Sequence, residues 1–569
     1  MSTRWVTVDD GVRLSVSITG PGDAPTLVCV HGYPDNSSLW DGVVAELSGR
    51  FRVVTYDVRG AGASDKPTDP AAYRLDRLAA DLAAVAEDVS PGRPVHLLAH
   101  DWGSIQSWHA VTGEWLRGRV ASFTSISGPC LDHAAHWFRS GLRSPRRWRA
   151  VLRQALHSTY IGFFQLPRLP ELAWRTGVAA RVVRRTEPHE PAPVISDAVH
   201  GLNLYRANMP SRLGEPAARY ADVPVQVLAP IGDPFVTAPL QTEIARWVPD
   251  LRVRRIAGGH WVVREAPARI ARAAAELVDH VEGGPEPRAL RRTRVGRRPG
   301  GRFAGNLVVV TGAGSGIGRA TALAFAGEGA DVVLADIDPA AWERTAGEIR
   351  ARGAVAAGYT VDVGDAEAME KFAASVAAEH GVPDIVVNNA GVGVAGSFVD
   401  TSVADWERVI DVNLWGVIHG SMLFGRQLVE RGEGGHVVNV ASMAAYLPNS
   451  LLPAYSTTKA AVLQLSECLR VEFARQGIGV SAICPGFVRT AIASTTTFAG
   501  AGAREQDERR QRSGRMIARR NFAPEKVAAD ILRAVQRDTP VVASTPEAKA
   551  TLALSRLTPG LLRAAARRL

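Results

Sequence analysis

The apolar positions of the first 282 residues fall into short, nearly unbroken runs. Thr26–Val30, Phe51–Tyr56 and Val95–Ala99 are such runs, Val225–Ala229 repeats the form later, and Leu251–Ile256 follows with arginines between its apolar positions. Runs of this length with little polar alternation predict strands covered on both faces. Between the second and third, Leu75–Val89 places its apolar residues at helical spacing. The alternation restarts in the second half. There Asn306–Val310 precedes a helical Arg319–Gly327, and Val332–Ala335, Ile385–Val387 and His436–Val440 follow. A helical stretch is also expected near Trp406–Asn413. Strand and helix alternating in this way predict an α/β chain with two mostly parallel sheets.

The patterning stops between Gly283 and Arg302. That stretch has no apolar period and holds three prolines, five glycines and seven arginines. It cannot bury enough surface to offset its ordering entropy, so it is expected to be a solvated linker. The expected organisation is therefore a domain over 1–282, a linker over 283–302, a second domain over 303–545 and a basic tail over 546–569. In the tail, Leu554, Leu557 and Leu561 keep helical spacing among Arg556, Arg563 and Arg567, and Pro559 interrupts any single helix. It is expected to pack on its domain or on a subunit partner, with a membrane-surface helix as the alternative.

At 569 residues the chain exceeds what one core sustains, in keeping with two domains. No apolar run reaches 18 residues and the N-terminus lacks a signal-peptide core, so a cytoplasmic location is expected, with peripheral membrane contact the only membrane role in view. Cys29, Cys130, Cys468 and Cys484 have no paired or metal-ligand spacing, so neither disulfides nor a metal site is expected. The net charge is +9, with only five lysines among the 66 basic residues. The arginine clusters lack interleaved aromatics, and nucleic-acid binding is not expected.

Ala99-His100-Asp101-Trp102-Gly103 has the form small-x-nucleophile-x-small at a strand-to-helix turn. Small flanks permit a turn so tight that the central side chain is forced out into a site. Here it is a carboxylate, which attacks alkyl carbon to form an ester; an aspartate capping the next helix is the alternative. His31-Gly32-Tyr33-Pro34 also follows a strand, so the backbone N–H groups of Tyr33 and Trp102 can form an oxyanion hole. Gly258-Gly259-His260-Trp261 offers a base, and Gly232-Asp233-Pro234-Phe235 offers an acid to orient it. These features resemble an epoxide hydrolase of the α/β-hydrolase fold, over essentially the whole first domain. The resemblance implies a lid over about 131–222 with two proton-donating tyrosines. Tyr160 lies ahead of Phe164-Gln165-Leu166-Pro167, and Tyr205 lies within Leu202-Asn203-Leu204-Tyr205-Arg206. A haloalkane dehalogenase shares the Asp-Trp elbow; there Trp102 would bind halide, with Trp137, Trp148 or Trp174 as second donor. A hydrolase fold kept only for binding is a third reading.

In the second half, Thr311-Gly312-Ala313-Gly314-Ser315-Gly316-Ile317-Gly318 links a strand to a helix. Glycines there let the backbone approach a pyrophosphate. Asp336, closing the next strand, can accept the adenosine ribose hydroxyls and would repel a 2′-phosphate, which favours NAD over NADP. Ser315 offers a 2′-phosphate no basic partner. Asp362 and Val363 are placed to meet the adenine, and Asn389, Ala390 and Gly391 follow another strand. Asn413 and Ser442 precede Tyr455 and Lys459, which share a helix face four residues apart. The lysine ammonium is expected to lower the tyrosine pKa toward neutrality while Ser442 holds the substrate oxygen. Together these motifs resemble the short-chain dehydrogenase/reductase family, a Rossmann-type doubly wound fold. The resemblance implies Asn413, Ser442, Tyr455 and Lys459 as catalytic tetrad, Pro485, Gly486 and Val488 beside the nicotinamide, and a mobile substrate loop over 491–521. A homo-oligomer through this domain is also expected. The order of the halves resembles bifunctional fusion proteins of actinobacteria that act on oxidised lipids, which implies a small-molecule or lipid substrate.

Overall fold

A computed structural model describes residues 2–186, 193–296, 300–490, 492–520 and 522–560. The chain divides into two compact units, Met1–Gly296 and Arg297–Leu569.

The first unit holds an eight-stranded sheet. Its spatial order is Ser2–Thr7, Arg13–Thr19, Arg52–Tyr56, Thr26–Val30, Val95–His100, Val120–Ile126, Val225–Pro230 and Leu251–Ile256. The second strand pairs antiparallel with both of its neighbours, and the other pairings are parallel. Every residue of Thr26–Val30 is buried because alternate side chains enter two different cores. Val28 and Val30 join the cluster around Leu82 and Trp108, whereas Leu27 and Cys29 join the one around Trp40 and Val262. Between the sixth and seventh strands, helices Leu131–Leu142, Trp148–His157, Thr159–Phe164, Leu169–Arg175, Val178–Thr186 and Ile195–Gly214 form the lid.

The second unit holds a seven-stranded parallel sheet. Its order is Ala356–Thr360, Asp331–Asp336, Leu307–Thr311, Ile385–Asn388, Gly435–Val440, Ile478–Cys484 and Val541–Ala543. The double covering recurs: Val308 and Val310 enter one core, Leu307 and Val309 the other. Strand order reverses between Leu307–Thr311 and Ile385–Asn388, where open α/β sheets bind ligands.

Two boundaries differ from the sequence reading. The stretch expected to be solvated carries a helix, Arg288–Arg291, and Leu290 is fully buried. Arg294 forms a β-bridge with Arg252, and Glu286 pairs with both arginines. One buried leucine and this ion cluster hold 286–294 on the first unit; residues 297–299 lie outside the described residues. The tail also begins inside the second fold. Helix Pro546–Leu557 buries Ala548, whose carbonyl accepts the Tyr446 hydroxyl at 3.0 Å. Leu561, Arg563 and Arg567 lie outside the described residues.

Candidate active sites

Asp101 closes strand Val95–His100 and precedes helix Trp102–Val111, with φ 51° and ψ −123°. A non-glycine residue held there costs about 1–3 kcal/mol, a strain often found where a side chain must be presented. The approach behind it is close: a Cβ on Gly103 would lie 2.2 Å from the Val30 carbonyl oxygen. The Tyr33 N–H donates to Asp101 Oδ1 at 2.8 Å. A Cβ on Gly32 would meet that oxygen at 2.5 Å and the Trp102 nitrogen at 2.6 Å, so only glycine fits between the two. Its other oxygen, Oδ2, lies 3.5 Å from His260 Nε2.

His260 Nδ1 meets Asp233 Oδ2 at 3.0 Å, and Asp233 Oδ1 accepts the N–H groups of Phe235 and Val236. Burial opposes charge on both side chains, and their mutual attraction outweighs it. Asp233 is held below the usual carboxylate range by the imidazole and those N–H groups. His260 is raised well above an ordinary histidine by Asp233 and Asp101. His100, next to the nucleophile, is instead pushed down to about 4, chiefly by burial, and its neutral ring bonds the His260 carbonyl at 2.8 Å.

Above Asp101 stand the two lid tyrosines. Tyr160 and Tyr205 are edge to face, with centroids 5.9 Å apart, and Tyr205 lies 4.9 Å from the Trp102 ring. Burial pushes both phenols up, and the charge of Asp101 adds to it, so they stay protonated. The residues that follow each tyrosine tie the pair together. Gln165 donates to the Tyr205 carbonyl at 3.1 Å, and Arg206 donates to the carbonyls of Phe164 and Leu166. The Trp102 indole packs edge-on against the Tyr205 ring and opposes the rise of its phenol. Trp137 donates to Glu243 and Trp148 to the Leu142 carbonyl, whereas the Trp174 indole N–H is buried in the lid cluster with no hydrogen-bond partner among the described residues.

The sequence reading missed two supports. Gln154 donates to the Phe235 carbonyl and accepts from Thr237, fixing the loop after Asp233. The Tyr33 side chain joins the site as well, its ring 5.4 Å from Tyr205 and 6.0 Å from Trp174. A glutamine opposite exposed leucines on a short helix was the only signal for the first; the second was noted for its backbone alone.

In the second unit, the residues expected to meet a dinucleotide follow the C-terminal ends of strands, except Tyr455 and Lys459, which lie on helix Pro453–Phe473. Gly312, Ser315, Gly316, Ile317 and Gly318 lead from Leu307–Thr311 into helix Gly316–Gly327. Gly312 has φ 63°, and a Cβ on Gly318 would lie 2.0 Å from the Gly312 carbonyl oxygen. The loop thus fits close approach of a pyrophosphate to backbone N–H groups at a helix start. Asp336 Oδ2 accepts the Gly314 N–H at 2.8 Å, which puts its carboxylate beside that loop. Asp362 and Val363 follow strand Ala356–Thr360, Asp362 exposed and Val363 buried. Asn389 donates to the Thr311 carbonyl at 2.9 Å, bringing Asn389, Ala390 and Gly391 beside the first loop. Pro485, Gly486 and Val488 follow strand Ile478–Cys484.

Of the tetrad, Asn413 and Lys459 are buried, and Ser442 and Tyr455 are half-buried. Asn413 sits in a widened turn, Asp411–Trp415, bonding the Val392 N–H and carbonyl at 2.8 and 2.9 Å. A Cβ on Gly391 would lie 3.1 Å from Asn413 Oδ1 and 3.5 Å from Lys459 Nζ. Ser442 is a hydrogen-bonding neighbour of Tyr455. The expected effect of Lys459 on Tyr455 is not found. Nζ donates to the Val440 carbonyl at 3.0 Å and stands 5.8 Å from the Tyr455 ring centroid. Burial pushes Tyr455 up, opposed by Ser442, and pushes Lys459 down to about 8. The loop over 491–521 carries a helix, Ala503–Arg520; Ala491 and Asn521 lie outside the described residues. Glu547, from the expected tail, accepts the Phe487 N–H at 3.0 Å.

These two folds define an α/β-hydrolase domain followed by a short-chain dehydrogenase/reductase domain. Family models agree: "alpha/beta hydrolase fold" matches residues 25–267 and "short chain dehydrogenase" residues 306–498. The chain is 46% identical over 583 residues to "Probable oxidoreductase EphD" of Mycobacterium tuberculosis (strain ATCC 25618 / H37Rv), spanning 99% of this chain and 98% of that protein. It therefore belongs to that family of oxidoreductases in which a hydrolase-fold domain precedes a dehydrogenase domain. "Putative oxidoreductase SadH" of the same strain is 34% identical over 45% of this chain and 91% of its own length. Among solved structures, "a short chain dehydrogenase/reductase SDR from Burkholderia phymatum in complex with NAD" is 33% identical over 45% of this chain and 93% of that one, with a TM-score of 0.42. Among the described residues, no helix is long and apolar enough to cross a membrane.

Proposed function

We propose that the first domain hydrolyses epoxides to vicinal diols through an ester on Asp101. The observation that carries this reading is the pair of phenols, buried Tyr205 and half-buried Tyr160, opposite a carboxylate backed by His260 and Asp233. Asp101 Oδ2 attacks an epoxide carbon, the C–O bond breaks, and a phenol passes its proton to the alkoxide. Esterification removes one of the two negative charges that raise His260, so the imidazole becomes a stronger acid and a free base. His260 then takes a proton from water, and the resulting hydroxide attacks the ester carbonyl carbon. The Tyr33 and Trp102 N–H groups hold the charge that develops on Oδ1. The intermediate collapses with cleavage of the bond between Cγ and Oδ2, the departing diol oxygen takes the proton held by His260, and the proton left on the Asp101 carboxyl restores the phenol, so the net reaction adds one water.

The second domain is proposed to interconvert an alcohol and a ketone with a nicotinamide dinucleotide, NAD by preference. Bound there, the nicotinamide supplies or accepts hydride. Gly312 to Gly318 would receive the pyrophosphate, and Asp336 the adenosine ribose. Ser442 holds the substrate oxygen and Tyr455 exchanges its proton. In reduction the neutral phenol gives its proton to the carbonyl oxygen, and oxidation runs the same transfer in reverse.

An apolar, lipid-derived epoxide is the proposed substrate class. The lid cluster around the phenols, with Trp174, Leu202 and Met209, supports it. A vicinal diol carries the hydroxyl that a Tyr455–Lys459 pair oxidises, so the domains are proposed to act in series, giving a hydroxyketone from epoxide, water and NAD⁺. Joining two sites in one chain keeps them at an effective concentration of about a millimolar. Asp101→Asn protein should form no ketone from epoxide yet oxidise added diol, and Tyr455→Phe protein should accumulate diol. If the intact protein reduces no NAD⁺ with any diol its first domain makes, the serial scheme is wrong.

A further inference from the structure

The outer face of the lid is unlike the rest of the first unit. Of the sixteen exposed large apolar side chains among that unit's described residues, ten lie between Leu142 and Val182. Between 139 and 185 the chain also carries eleven arginines and a single acid, Glu171, which pairs with Arg206. Helix Trp148–His157 shows the arrangement most clearly. Trp148, Leu152 and Leu156 are 57, 63 and 62% exposed and stand at intervals of four, on one face. Arg149 and Arg153 flank them and are exposed. Val151 and Gln154, on the opposite face, are buried.

We propose that this face docks the protein on an anionic lipid bilayer. Leucine and tryptophan beside arginine is the composition of a helix lying in a membrane interface, where apolar side chains enter the acyl boundary and cations meet headgroups. A second copy of the chain is a poorer occupant. A two-fold contact would set this face against itself and bring like charges together. A nucleic acid is poorer too, because leucines offer bases no stacking surface.

The position of the helix gives the docking a purpose. Its inner face is clamped by Gln154 to Phe235 and Thr237, on the loop that carries Asp233. The next helix turns Tyr160 toward Tyr205 and leaves Phe163 exposed. The bilayer would thus lie about one helix diameter, roughly 10 Å, from the catalytic acid's loop. An apolar substrate could pass from membrane to site without crossing bulk water. Docking itself does not depend on which reaction the site performs.

The test is flotation of the full-length protein with vesicles of phosphatidylcholine alone or mixed equally with phosphatidylglycerol. The intact protein should float with the mixed vesicles only, and less as salt is raised. Leu152→Glu with Leu156→Glu should lower the bound fraction at least about tenfold with Tm unchanged. Should that variant unfold, brominated lipids decide: they should quench the intact protein more than Trp148→Phe protein. Failure to float with mixed vesicles, equal flotation of the double variant, or equal quenching of the two proteins each overturns the proposal. So does a dimer in sedimentation that the double variant abolishes.

Discussion

In the hydrolase domain His260 stands between two carboxylates, 3.0 Å from Asp233 and 3.5 Å from Asp101. In the dehydrogenase domain Lys459 is as deeply buried, and among the described residues its ammonium bonds a carbonyl, that of Val440. The consequences are opposite. His260 and Asp233 are each driven toward their charged forms, whereas Lys459 and Tyr455 are each driven toward neutrality. Burial acts the same way in all four; what differs is whether the protein supplies a counter-charge. The first site sets its own protonation states. The second leaves Lys459 titrating near neutral pH, where modest changes in its surroundings alter its charge.

Asp101→Asn should have the largest effect, since no other side chain can form the ester. Diol formation should fall by about four orders of magnitude, and alcohol oxidation by the same preparation should be untouched. Parallel loss of both activities would show that the sites are not independent. Tyr160→Phe with Tyr205→Phe comes next, at about 10²- to 10⁴-fold in ring opening, read as diol per enzyme. Halide release from long-chain haloalkanes that survives both changes would favour a dehalogenase.

Acidity should separate the two steps of hydrolysis. In the alkyl-enzyme Asp233 remains as the counter-charge that raises His260, so the neutral imidazole is lost as pH falls through the pKa it has there, and ester hydrolysis should slow by about tenfold per pH unit below it. Ester formation needs Asp101 ionised and the phenols protonated, and tolerates lower pH. Rapid quenching followed by mass spectrometry should therefore find more alkyl-enzyme at acidic than at neutral pH. Asp336→Ala is the smallest change, shifting preference toward NADP by about tenfold, the factor carried by 1.4 kcal/mol. Tighter binding of NADPH than NADH by the unaltered protein would contradict the NAD assignment.

Much of this was legible in the sequence because double-covered strands read as unbroken apolar runs, and tight turns demand small residues at fixed offsets. Thr26–Val30 and Leu75–Val89 were read with the bounds they have in the fold. What escaped depends on partners chosen in three dimensions. Leu290 is one leucine among arginines, and nothing local says that it will be buried. Glu547 looked like the start of a tail, yet it fixes the backbone at Phe487. The Tyr–Lys spacing placed Lys459 on the right helix face, but spacing alone cannot report that its ammonium turns to Val440.

The reading of the first site rests on Asp101 as a nucleophile. A single turnover of epoxide in water enriched in oxygen-18, followed by mass spectrometry of the peptide containing Asp101, tests it most directly. Attack through Oδ2 and hydrolysis at the ester carbonyl predict a heavy oxygen in the Asp101 carboxylate and, in that first turnover, an unlabelled diol. A labelled diol with an unlabelled Asp101 would mean that water attacked the epoxide itself.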